Sequence, residues 1–72
     1  MDIEIGAKYT HFKGGQYVVL AIATHTETNE DMVVYQSLKD SKVWVRPAKM
    51  WNEIVDKEKN IRRFNRNSNG QI

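Results

Sequence analysis

The chain has 72 residues, no cysteine and a formal charge of +2, so it is one small domain with neither disulfides nor thiolate metal ligands to staple it. A chain this short buries only about 60–65% of the surface its unfolded form exposes, so a very regular fold or self-association has to supply stability. The small core makes a homo-oligomer the expectation; no apolar run approaches the ~18–20 residues of a membrane span and no secretory leader pattern is present, from which a cytoplasmic protein is expected.

The charge is unevenly placed. Residues 1–56 hold six Lys and Arg against eight Asp and Glu, whereas residues 57–72 hold five against one. A duplex-binding protein carries its basic stripe on the folded body, and this body is close to neutral. Nucleic-acid contact is therefore confined to one reading, through Lys57, Lys59, Arg62, Arg63 and Arg66, against the commoner role of a basic end in solubility.

Tyr9–Lys13 reads as a first strand, and Gly14-Gly15 as the hairpin turn that follows it. Gln16–His25 is almost unbroken β-formers and small apolar residues, and the polar run Thr28-Asn29-Glu30-Asp31 ends it. Met32-Val33-Val34-Tyr35 is the next strand, Lys39-Asp40-Ser41 the next turn, and Lys42-Val43-Trp44-Val45-Arg46 the fourth strand, which Pro47 terminates. After Pro47 the apolar spacing of Met50, Trp51, Ile54 and Val55 is compatible with a helix. A single helical turn at Pro47–Trp51 followed by a strand near Ile61–Phe64 fits equally well and is preferred. The expectation is an all-β fold, a small SH3-like barrel of about five strands with one short helical turn after Pro47. Residues 1–64 form the single domain and residues 65–72 a disordered polar tail.

Period-two alternation sorts side chains onto two faces. Taking the aliphatic sets as core places Val18, Leu20 and Ile22 inside on the second strand and Val43 and Val45 inside on the fourth. Tyr17, His25, Trp44 and Arg46 then stand off the core, joined by Tyr35 and by Tyr9 or His11, unless a bulge reverses part of the pattern. Trp44 with Arg46 is the leading pair, a stacking surface beside a planar five-donor fork suited to phosphate or carboxylate. The plainer alternative has Trp44 covering the barrel end beside Pro47 and Arg46 pairing with a surface Glu. His11, His25 and Glu27 fall short of the ligand sets zinc requires, so no metal is expected. Ser37, Ser41 and Ser68 sit in no nucleophile elbow, Gly14-Gly15 lacks the spacing of a phosphate loop, and Glu27 with Glu30 reads as a solvated turn. No catalytic residue, cofactor or enzymatic activity is expected.

Tyr9-Thr10-His11-Phe12-Lys13-Gly14-Gly15, Tyr17-Val18-Val19-Leu20, Ala23-Thr24-His25-Thr26-Glu27-Thr28, Val33-Val34-Tyr35 and Trp44-Val45-Arg46-Pro47, continuing through Met50-Trp51 to Arg63-Phe64, resemble a family of short bacterial and phage proteins known only as domain of unknown function family 1653. The resemblance implies a small SH3-like β-barrel and a hairpin over residues 52–64. It also implies that Tyr9, His11, Lys13, His25, Glu27, Thr28, Tyr35, Trp44 and Arg46 belong to the family pattern, while Trp51 stands where the family usually has Phe and Arg62 where it often has Pro. It implies no activity.

The function expected is non-catalytic recognition of a small anionic, nucleotide-like ligand, which the protein could sequester. Trp44, Arg46, His25, Tyr35, Lys13, Tyr9, His11 and Glu27 are the candidate ligand-binding residues. A nucleotide needs a pocket of some ~300 Å³ or more, which a single 72-residue barrel can scarcely enclose, so the pocket is expected between subunits. The alternatives are a protein or peptide module with Trp44, Tyr35 and Tyr17 lining an aromatic groove, and the basic-segment contact with nucleic acid.

Overall fold

The structure, a computed structural model, describes residues 3–67. Its strands are β1 (Lys8–His11), β2 (Gln16–Thr24), β3 (Asp31–Ser37), β4 (Val43–Pro47), β5 (Ile54–Asp56), β6 (Ile61–Arg62) and β7 (Phe64–Arg66), with one helical turn, α1 (Ala48–Trp51), between β4 and β5. Five strands form an antiparallel sheet in the order β4-β3-β2-β1-β7, and β5 and β6 form a separate two-stranded hairpin. The fold is all-β, with the single helical turn after Pro47 and the hairpin within residues 52–64. Among the described residues no ladder joins β4 to β7, which are the edges of the main sheet.

Side chains that borrow a backbone role make the turns. At the β1–β2 turn the Lys13 N–H donates to His11 Nδ1 at 3.1 Å. The Gly14 N–H donates to the His11 carbonyl at 2.7 Å. Gly14 has φ +104°, a conformation that suits a residue without Cβ. At the β2–β3 turn the Glu27 N–H donates to His25 Nδ1 at 3.1 Å, and the hydroxyl of Thr28 accepts from the Glu30 N–H at 3.2 Å. Asp40 accepts from the Lys42 N–H and Asp56 from the Lys59 N–H in the next two turns. Each is the local side-chain-to-backbone bond that Asn, Asp and Ser ordinarily make in turns, here extended to histidine.

Register assigns the two faces of the sheet. Tyr9 pairs with Tyr17, Val19 with Tyr35, Tyr35 with Trp44, Val33 with Arg46 and His11 with Phe64, so all these side chains share one face. That face carries the core, formed by Ile3, Tyr9, Val19, Val33, Tyr35, Trp51 and Phe64. The aliphatic sets taken as core from alternation are therefore mostly on the wrong side. Val19 is 1% exposed, whereas Leu20, Val43 and Val45 are 42%, 52% and 59% exposed. A register shift between Val19 and Ala21 makes Leu20 the bulged residue and returns Ile22 to the core side. The core is built on rings, and its largest buried side chain, Trp51, lies parallel to Phe64 with centroids 3.8 Å apart.

Tyr9 and Tyr35, expected off the core, are buried in it. Asn65 and Arg66, expected in the tail, belong to β7 opposite Thr10 and Tyr9, and the Asn67 N–H still donates to the Lys8 carbonyl at 2.9 Å. The domain therefore runs past residue 64; the rest of the expected tail, residues 68–72, lies outside the described residues.

Candidate functional site

At the end of the sheet where β1 turns into β2, the core rings open to solvent as a cleft. His11, Tyr17, Tyr35, Trp44, Arg46 and Phe64 line it, and its volume is about 170 Å³. β1 supplies His11, β2 Tyr17, β3 Tyr35, β4 both Trp44 and Arg46, and β7 Phe64, all from the core-bearing face. The rings brace one another edge to face. Tyr17 meets Tyr35 at 5.4 Å and Phe64 at 5.8 Å, and His11 meets Phe64 at 4.9 Å between centroids. Gly15 makes room for this wall, since a Cβ there would lie 2.9 Å from the Tyr17 ring.

Arg46 is the cation of the cleft. Its Nε donates to the Tyr35 hydroxyl at 3.4 Å, and its guanidinium carbon lies 5.8 Å from the Phe64 centroid. The ion pairs of the described residues are Lys49 with Glu30, Arg63 with Glu53 and Arg66 with Glu4, so Arg46 has no carboxylate among them. No acidic side chain lines the cleft. Two further cations lie over rings at its borders, Lys42 above Trp44 at 5.3 Å and Lys13 above Phe12 at 5.8 Å.

His11 is affected by this surplus of positive charge. Burial first, then Arg46, Arg63 and Lys13, hold its pKa below the ordinary histidine value of 6.5. With Nδ1 accepting the Lys13 N–H, the neutral ring carries its proton on Nε2, which has no hydrogen-bond partner among the described residues.

Of the candidate residues from sequence, the cleft unites His11, Tyr35, Trp44 and Arg46. Tyr9 lies behind it in the core, its hydroxyl accepting the Glu4 N–H at 3.0 Å. Lys13 sits on the adjoining turn and reaches the cleft only through its charge. His25 and Glu27 occupy the β2–β3 turn at the opposite end of β2, about 26 Å of extended strand away from Tyr17. Phe64 was not foreseen as a wall of the cleft. Its place follows from the β1–β7 pairing that sets it opposite His11, and that pairing has no local sequence signal. Of the basic residues near the C-terminal end, Arg63 and Arg66 are tied to Glu53 and Glu4 at 2.6 and 2.8 Å. Among the described residues no group of His, Cys, Asp and Glu could hold a metal ion, and no helix is long and apolar enough to cross a membrane.

A family model described as a protein of unknown function (DUF1653) matches residues 7–66, which includes every residue of the cleft. No curated protein matches. A crystal structure of a DUF1653 protein from Bordetella bronchiseptica is similar to this chain at 36% sequence identity with a TM-score of 0.74, over 88% of this chain and 85% of the other.

Proposed function

The chain belongs to the DUF1653 family, and we propose that its cleft binds a small anionic ligand with a planar ring, of nucleotide type, without catalysing a reaction on it. The observation that carries this reading is Arg46, a guanidinium without a carboxylate partner among the described residues, at a cleft of five rings with no acid in its lining. Its free amino groups suit bidentate phosphate or carboxylate binding, and the rings supply a stacking surface. A buried ion pair would have consumed that charge.

The volume bears on how the ligand is held. About 170 Å³ is well below the ~300 Å³ or more of a pocket that encloses a drug-sized molecule, so one chain holds part of a nucleotide and leaves the remainder outside. A second copy covering the cleft is the arrangement we propose. Trp44 and Arg46 stand on the edge strand β4, next to the half-exposed Val43 and Val45, and unpaired strand edges are natural places for another strand to add. The same edge also favours a second reading, in which β4 accepts an extended peptide as an extra strand with Trp44 at the contact.

Isothermal titration with adenosine monophosphate, on wild type and Arg46→Ala, tests the primary reading. Binding by the wild type and at least tenfold weaker binding by the variant, with the urea midpoint nearly unmoved, is the expected result. Equal affinities would remove Arg46 from the site. Sedimentation with and without the nucleotide addresses the shared pocket, and a protein that remains monomeric while binding overturns it.

A further inference from the structure

Resting on the anion-cleft reading, we propose that His11 takes up a proton as the cleft takes its anion, so that the bound ligand is held between an imidazolium and the Arg46 guanidinium. His11 and Arg46 come from strands on opposite sides of β2 and β3, yet both line the one cleft. Cations and phenols face His11 from the elements packed around the cleft. Lys13 lies on its own turn, Arg63 beside β7, Arg46 on β4, and the phenols of Tyr17 and Tyr35 on β2 and β3. None of these is a carboxylate, and Arg63 is itself paired with Glu53 at 2.6 Å.

Three cations and partial burial keep the ring neutral while the cleft is empty. An anion placed against Arg46 reverses the charge influence, because it offsets the strongest of the three repulsions and adds an attraction of its own, while the burial it adds acts the other way. Between groups lining one cleft, the attraction of a full negative charge for an imidazolium is stronger than one neutral hydrogen bond. The opposing costs are that added burial and one hydrogen bond, since protonation at Nδ1 gives up the bond from the Lys13 N–H. The anion therefore outweighs the turn. His11 is also the only side chain lining the cleft that titrates between pH 5 and 8 in its ordinary range, so the site binds more tightly as the pH falls.

The test uses a probe whose own charge is constant over this range. Adenosine 3′,5′-cyclic monophosphate, a phosphodiester, carries one negative charge from pH 5 to pH 8. Titration calorimetry at pH 6.5, in two buffers of different ionisation enthalpy, counts the protons taken up on binding. The expected wild-type result is a fractional uptake between zero and one, with affinity rising by up to about tenfold per pH unit between pH 7.5 and 5.5. His11→Asn keeps a side-chain acceptor for the Lys13 N–H but does not titrate, so uptake should vanish and the affinity become flat with pH. Wild-type binding with no uptake and no pH dependence overturns the role of His11 while leaving the cleft reading intact. A uniform dependence that persists in His11→Asn likewise assigns the proton elsewhere. No binding by the wild type at any pH from 5 to 8 overturns the anion-cleft reading and this inference with it.

Discussion

Replacing Trp51 by phenylalanine and, separately, by alanine distinguishes the two energetic roles of its indole. Trp51 is 0% exposed, lies parallel to Phe64 at 3.8 Å, and meets the edges of Tyr9 and Tyr35 at 5.3 and 4.9 Å. Truncating a buried aromatic to alanine costs about 3–5 kcal/mol. A domain of this length has a total stability of roughly 4–11 kcal/mol, so Trp51→Ala should lose a large share of it. Phenylalanine behaves differently. It forfeits part of the burial, about 1–2 kcal/mol, but it also deletes Nε1, which is buried without a hydrogen-bond partner. An unsatisfied buried donor costs about 1–3 kcal/mol, so the two changes nearly cancel. With a urea m-value of about 1 kcal/mol/M, equilibrium unfolding followed by far-UV circular dichroism should put Trp51→Phe within about 1 M of the wild-type midpoint. Trp51→Ala should fall about 3 M or more below it, or be unfolded without denaturant. If Trp51→Phe unfolds as early as Trp51→Ala, the indole N–H is satisfied in solution and the argument from an orphan donor is wrong.

Three further outcomes follow from the cleft and its turns. Gly15→Ala places a Cβ where the Tyr17 ring now lies at 2.9 Å; the ring should swing out, weakening adenosine monophosphate binding several-fold in calorimetry with a smaller change in urea midpoint. Gly14→Ala meets no atom within 4 Å but must hold φ +104°, so it should cost about 1–2 kcal/mol of stability through the backbone alone, read from the same unfolding curves. In the ligand-free protein His11 is depressed below 6.5. Above that value the ring is neutral whether folded or unfolded, and as the pH falls through it the unfolded chain takes up the proton first. Stability should therefore decline between about pH 6.5 and the depressed folded value, and midpoints at pH 7.5 and 5.5 should converge in His11→Asn.

The strand pattern was legible because turn chemistry is local. Gly14-Gly15, the polar run at Thr28–Asp31, Lys39-Asp40-Ser41 and Pro47 each fix a boundary through backbone preferences that need no tertiary partner. The faces were not legible by the same route. Both faces of β2 carry apolar side chains, Val18 with Leu20 and Val19 with Ala21, so alternation alone cannot say which is inside, and the bulge at Leu20 shifts the phase halfway along. Preferring aliphatic residues to aromatic ones as core then displaced Tyr9 and Tyr35 to the surface, when they are buried among Trp51 and Phe64. The pairing of Trp44 with Arg46 as neighbours on one face needed only their i, i+2 spacing on one strand and was visible. The separation of His25 and Glu27 from them needed the whole length of β2.

The two histidines resemble each other in a way that bears on what can be inferred from their presence. Each opens a turn by accepting the backbone N–H two residues on, from Lys13 and from Glu27, at 3.1 Å in both cases. That geometry alone accounts for a histidine at both positions, so having the residue type in a turn is no sign of a binding site. What separates His11 from His25 is what lies beyond the turn. His11 packs against Phe12, Tyr17 and Phe64 and shares a cleft with Arg46, whereas His25 lies in the β2–β3 turn, where its backbone N–H donates to the Glu30 carbonyl at 2.8 Å. The cleft rings are also core rings, since Tyr35 and Phe64 serve both, and truncating either confounds binding with folding. Arg46 and Trp44 on the edge strand, and His11 with its turn bond preserved by asparagine, are the positions at which the site can be altered while the core remains in place.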